Sequence, residues 1–130
     1  MPSPMAGGRR ILVVDDNADV REPLSELLKG WGHEVMNAAN EETALTVAGR
    51  FVPEVVLLDL GLPDMNGDEV ASRLRAGPGG NQLFVVALTG YGTEEDIARI
   101  RKSGFDAYLQ KGTDLDKLGS LIAGLPRSGA

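Results

Sequence analysis

The 130-residue chain contains no cysteine, which excludes disulfides, thiolate metal centres and cysteine nucleophiles. It has a single histidine, His33, so no site that needs two imidazoles can be built. No apolar run approaches the roughly 20 residues that a membrane span requires. Met1 to Gly8 has no apolar segment of the kind found in a secretion signal. Positive charge is in short supply: 13 Lys and Arg face 19 Asp and Glu, for a net charge of -6. Nucleic-acid binding needs clustered cations to neutralise phosphates, so this balance argues against it. Hydrophobic residues make up 42% and charged residues 25%, which argues against wholesale disorder. The expectation is one soluble, cytoplasmic domain without direct membrane contact, large enough to bury a core. That expectation also holds for a piece cut from a longer, membrane-attached protein.

What the chain does contain is a set of uniform apolar runs that stop at polar residues. Val55-Val56-Leu57-Leu58 runs into Asp59, and then into Gly61, Pro63, Asn66 and Gly67. A run apolar on both faces suits a strand covered on both sides, as in a parallel sheet. The Gly, Pro and Asn cluster is loop chemistry. Ile11 to Val14 is a second such run, ending in Asp15 and Asp16. Leu83 to Leu88 is a third, ending at Thr89. Shorter strands are expected over His33–Ala38, half-polar and near an edge, and over Asp106–Gln110, leading to Lys111.

Helical spacing lies between these runs. Asn17 is placed to cap a helix whose Val20, Leu24, Leu27, Leu28 and Trp31 recur at helical intervals, with Pro23 in its first two turns and Gly30 and Gly32 at its end. Asn40 opens a helix through Arg50, with Ala44, Leu45 and Ala48 inward, and Pro53 closes the connection. Gly67 to Ala76 is a third, with Val70, Ala71 and Leu74 inward. Thr93 opens a fourth that Gly104 ends, and Asp114 caps a last one containing Leu115, Leu118, Leu121 and Ile122. Residues 1–8 read as a flexible lead-in, 9–125 as the domain and 126–130 as a flexible tail. Strand and helix alternate five times, which implies βαβ units and a parallel sheet flanked by helices.

Right-handed crossovers bring the C-terminal strand ends to one edge of such a sheet. If the first, third, fourth and fifth strands are neighbours, Asp15, Asp16, Asp59, Thr89 and Lys111 converge in one cleft. Three packed carboxylates must protonate, separate or bind a cation. With no soft ligands, that cation is hard and oxygen-bound, and Mg²⁺ fits best. Phosphoryl transfer is mostly positioning and neutralisation of equatorial oxygens. The cation, Lys111 and the Thr89 hydroxyl can each take one oxygen, leaving Asp59 as the carboxylate available as nucleophile.

Asp15-Asp16-Asn17, the stretch from Asp59 through Leu62-Pro63-Asp64-Met65-Asn66-Gly67, Leu88-Thr89-Gly90, Gly104-Phe105-Asp106-Ala107-Tyr108 and Lys111 together resemble the response-regulator receiver domain from about Arg9 to Leu125. The resemblance implies a flavodoxin-like α/β fold, with a five-stranded parallel sheet in the order 2-1-3-4-5 and five flanking helices. It implies that Asp59 accepts a phosphoryl group from the phospho-His of a histidine kinase or phosphotransfer domain. Asp16, Asp59 and the Gly61 carbonyl would bind Mg²⁺ directly, with Asp15 acting through water. Thr89 and Lys111 would hold the phosphoryl group, and Tyr108 would be the aromatic that rotates inward with Thr89. The domain would phosphorylate and dephosphorylate itself, and would present an output face for a protein partner, formed by Thr93–Ser103, the Asp106–Gln110 strand and the last helix. The Leu88 to Gly92 and Gly104 to Leu109 segments are also similar to receivers attached to hybrid histidine kinases.

The chain departs from the family pattern at three positions. Gly112 follows Lys111 where the family usually has Pro, so a trans bond is expected there, since cis without proline costs about 2.5–4 kcal/mol. Gly61 and Tyr91 stand two residues after Asp59 and Thr89, where side chains modulate water access. Two other readings remain: a non-phosphorylated pseudo-receiver acting as an interaction module, and a Mg²⁺-dependent phosphatase with an Asp nucleophile. The second generally needs another Asp where this chain has Gly61. Taken singly, Glu41-Glu42 and Glu94 to Asp96 read as solvated helix starts, Trp31 as helix-end packing and His33 as structural or exposed.

Overall fold

The computed structural model describes residues 9–59, 67–77, 80, 83–89, 98, 105–110 and 115–123. Within them the order is β1 (Arg10–Val14), α1 (Ala18–Gly30), β2 (Glu34–Ala38), α2 (Glu41–Phe51), β3 (Val55–Asp59), α3 (Gly67–Ala76), β4 (Phe84–Thr89), β5 (Ala107–Gln110) and α4 (Leu115–Ala123). The strands form one parallel sheet in the order β2-β1-β3-β4-β5. Four of the five expected helices are described. The fifth, over Thr93–Ser103, falls outside the described residues apart from Ala98, which is helical. The lead-in, the tail and the Lys111–Gly112 bond lie outside them as well.

Alternation along the doubly covered strands divides the core in two. Leu12, Val14, Val56, Leu58 and Val85 face one side, with Ala44 of α2 and Val70, Ala71 and Leu74 of α3 packed on them. Ile11, Val13, Val55, Leu57, Val86 and Leu88 face the other, under Leu24 and Leu28 of α1 and Leu118 and Ile122 of α4. All five residues of β3 are buried, as its unbroken apolar run requires at the centre of a sheet covered by helices. Each fully buried Leu or Val there contributes about 1.5–3 kcal/mol. β2 is an edge strand, and its residues are largely exposed except Ala38.

Local chemistry sets the ends of the helices. The Asn17 side chain accepts from the Asp19 amide at 2.9 Å and caps α1. Asn40 caps α2 in the same way, through the Thr43 amide at 2.8 Å. After α1 the chain turns at Gly32, whose φ of 97° is strained for any residue with a Cβ. Trp31, at this turn, is 40% exposed, but its ring lies over Gly119 of α4, so the residue packs at the helix end as expected. α2 ends on Val52 in the left-handed region (φ 49°), an uncommon place for a β-branched residue. The Arg10 guanidinium braces that turn by donating to the Val52 carbonyl at 2.9 Å.

One expectation needs correction. Glu41 is not a merely solvated helix start, because its carboxylate pairs with the Arg73 guanidinium at 3.2 Å and ties α2 to α3. Arg73 also reaches Glu69 one turn back on α3, at 2.6 Å.

Candidate functional site

The register of the sheet assembles the acidic cluster. Val14 of β1 lies opposite Leu58 of β3, so Asp15 and Asp59, each one residue further on, sit level on adjacent strands. Asp59 lies opposite Leu88, which places Thr89 one residue beyond it on the other side. Neighbouring strands are about 4.8 Å apart, so level carboxylates must meet. Carboxylate oxygens of Asp15, Asp16 and Asp59 all lie within 4.8 Å of one another. Asp15 is fully buried, Asp59 is 5% exposed, and Asp16 is open to solvent.

The loop carrying the first two carboxylates is held from several directions. The Asp15 amide donates to the Ala38 carbonyl at the end of β2, at 3.1 Å. The Asn17 amide donates to Asp15 Oδ1 at 3.0 Å, which fixes the rotamer of that carboxylate within a tight side-chain turn. The Arg21 guanidinium, from the first turns of α1, donates to the Asp15 carbonyl at 2.9 Å. Sequence reasoning misses Arg21. Its position six residues after Asp15 on a capped helix is the signal that could have found it.

The donor set fits a hard divalent cation. Three carboxylates, two of them buried, offer only oxygen, and among the described residues no other group of three His, Cys, Asp or Glu side chains comes together. Mg²⁺ takes oxygen ligands and is commonly held by one or two carboxylates plus phosphate and water oxygens. Asp15, Asp16 and Asp59 are the residues that would hold it.

Of the other expected site residues, Thr89 closes β4, paired with Gln110 of β5. Lys111, the next residue in the sequence after β5, lies outside the described residues. Gly61, Gly90 and Tyr91 are outside them too. Tyr108 lies opposite Ala87 and is 39% exposed.

A second polar cluster occupies the opposite edge of the sheet. Arg9, 6% exposed, donates its backbone amide to His33 Nδ1 at 3.1 Å, and its guanidinium lies 3.6 Å from Glu54. Arg10 also pairs with Glu54, at 3.8 Å. Burial pushes the His33 pKa below its ordinary value of 6.5; the Arg9 charge adds to that shift and Glu54 opposes it. His33 is therefore a structural acceptor, as expected.

Among families of known proteins, the model of the response regulator receiver domain matches residues 11–123. An uncharacterised 14.6 kDa protein of Leptolyngbya boryana is 40% identical over 104 residues, which span 80% of this chain and 79% of that protein. The DNA-binding response regulator MtrA of Mycolicibacterium paratuberculosis is 40% identical over 103 residues. There the match covers 79% of this chain but only 44% of MtrA. Among solved structures, the chemotaxis protein CheY4 of Vibrio cholerae superposes with a TM-score of 0.80 at 26% identity, over 87% of this chain and 94% of that one.

Proposed function

The chain belongs to the response regulator receiver domain family of two-component signalling, and from that premise we propose that it accepts a phosphoryl group on Asp59 in a Mg²⁺-dependent reaction. The observation that carries the proposal is the convergence of the Asp15, Asp16 and Asp59 carboxylates within 4.8 Å at the C-terminal edge of the sheet. In open α/β sheets this edge is where ligands bind.

The donor is the phospho-imidazole of a histidine kinase or phosphotransfer domain. A carboxylate oxygen of Asp59 attacks phosphorus, the new P–O bond forms as the P–N bond breaks, and the imidazole nitrogen leaves with the electron pair. Bound at the cluster, Mg²⁺ supplies charge neutralisation and open positions for phosphoryl oxygens. Asp16, Asp59 and the Gly61 carbonyl would hold the cation directly, with Asp15 acting through water. Lys111 and the Thr89 hydroxyl take the remaining phosphoryl oxygens. The burial of Asp59 at the end of a rigid strand orients the nucleophile, which is the larger part of catalysis in this chemistry.

The readout is a protein surface. Thr89 moves toward the phosphoryl group, Tyr108 turns in from its exposed position, and the face made by Thr93–Ser103, β5 and α4 changes for a downstream protein. With a net charge of -6, the domain itself makes no nucleic-acid contact. The DNA binding in MtrA's name describes a protein of which this chain matches less than half.

The test is incubation with acetyl phosphate and Mg²⁺ followed by intact-mass measurement. A single phosphoryl adduct, absent in Asp59→Asn and without Mg²⁺, is expected. No adduct on the native chain would point to the pseudo-receiver, and multiple turnover of small phosphoesters to a phosphatase.

A further inference from the structure

Asp106 and Arg75 form a clamp at the edge of the sheet away from the acidic cluster. Asp106 immediately precedes β5. Its amide donates to the Val85 carbonyl at 2.8 Å, and its Oδ2 accepts the Val85 amide at 2.8 Å. The side chain thus adds a rung to the β4–β5 ladder before the strand pairing begins. The same Oδ2 accepts from the Arg75 guanidinium at 2.7 Å, while the other arm of that guanidinium donates to the Leu83 carbonyl at 2.9 Å. Arg75 lies in the last turn of α3. Its backbone is pinned from the other side by Gly80, which is buried and so close that a Cβ there would collide with Arg75 main-chain atoms.

Three elements are therefore tied together at one point: the end of α3, the start of β4 and the entry to β5. Each is connected through the chain to the acceptor edge: α3 is the next described element after Asp59, β4 ends at Thr89, and β5 ends at Gln110, the residue before Lys111 in the sequence. Val85 and Thr89 are four residues apart on a straight strand, about 13 Å at roughly 3.3 Å per residue. The pair is about one-third exposed on each side (30% and 35%), so solvent screens its Coulomb attraction, and its hold is the directed geometry of the hydrogen bonds.

We propose that the Arg75–Asp106 pair is a positioning device: it sets the register of β5 and α3 against β4, and that register governs how fast Asp59 takes up the phosphoryl group. The inference rests on Asp59 being the phosphoryl acceptor. It assigns the clamp no contact with the phosphoryl group or the cation, since Asp15, Asp16 and Asp59 are carried by β1 and β3 and the loop after β1.

The test compares Arg75→Ala, Asp106→Asn and the double variant with the native protein. Asp106→Asn keeps an oxygen for the Val85 amide and removes the charge that Arg75 meets, so it preserves the fold, whereas Asp106→Ala would leave that amide without its acceptor. Three quantities are read: the rate of adduct formation with acetyl phosphate by intact mass, the Mg²⁺ dissociation constant by calorimetry, and the urea midpoint. The expected result is a roughly tenfold slower maximal rate in each single variant, an unchanged Mg²⁺ constant, and no further loss in the double variant, because a misplacement of well under an ångström costs this much. Native rates in both single variants would overturn the inference while leaving Asp59 as acceptor. So would losses of rate and Mg²⁺ affinity that merely track the unfolded fraction. A native protein that takes up no phosphoryl group would overturn both readings.

Discussion

The imidazole of His33 accepts the backbone amide of Arg9 through Nδ1 at 3.1 Å, joining the entry of β2 to the entry of β1. Only the neutral ring, with its proton on Nε2, can make this bond. Burial first, and the Arg9 charge second, hold the His33 pKa below 6.5, with Glu54 opposing them. The unfolded chain therefore binds more protons than the folded one between the folded value and 6.5. The contribution of His33 to stability is fully present at neutral pH and is lost as the pH falls below about 6.5 and through the folded pKa. His33→Gln, which can still accept but does not titrate, is expected to flatten the urea midpoint against pH between about 7 and 5. An unchanged slope in the variant would refute the assignment.

The three carboxylates repel one another when no cation is bound. Asp59→Asn is therefore expected to raise the stability of the Mg²⁺-free protein, by on the order of 1 kcal/mol. In the native protein, Mg²⁺ at a hundred times its dissociation constant should add about 2.7 kcal/mol, and in the variant much less. Thermal unfolding of both proteins, with Mg²⁺ and with a chelator, checks the two signs. An equal response to Mg²⁺ would place the cation elsewhere.

Two glycines should respond oppositely to alanine. Gly49 lies in the last turn of α2, and a methyl group on its Cα would have nothing within 4 Å, so Gly49→Ala should stabilise by up to about 0.5 kcal/mol through helix propensity. Gly80 has no room, and Gly80→Ala should destabilise by more than about 1 kcal/mol as it pushes the chain off Arg75. Chemical denaturation of the two variants gives the comparison directly.

Arg73 links Glu41 of α2 and Glu69 of α3, but it is 53% exposed. Arg73→Ala should therefore cost no more than about 1 kcal/mol, and the cost should shrink at a salt concentration of about 1 M. A loss above about 2 kcal/mol in urea melts would mean that the methylene stem packs more tightly than the ion pairs suggest.

The uniform apolar runs at Ile11–Val14, Val55–Leu58 and Leu83–Leu88 state by themselves that these strands are covered on both faces, and all twelve residues of the first two runs and of Val85–Leu88 are buried. Asn17 and Asn40 announce their helices because capping is local: the accepting side chain and the donating amide are two or three residues apart. Asp15, Asp16 and Asp59 are legible as candidates for the same reason, each standing where such a run ends. The order 2-1-3-4-5 is implied by resemblance to a family. Periodicity alone states that a strand is buried and leaves its neighbours open.

Tertiary structure alone decided the register that sets Asp15 level with Asp59, and the partners of the charged side chains. Glu41 reads as solvent-exposed until α3 brings Arg73 beside it. Asp106 reads as one residue of a short motif until Arg75, 31 positions earlier, meets it at the far edge of the sheet. A buried apolar side chain is satisfied by any close-packed neighbour, so its environment can be read from its own stretch of chain. A hydrogen bond or ion pair needs one partner at one distance and angle, and the folded backbone supplies that partner from a distant part of the chain.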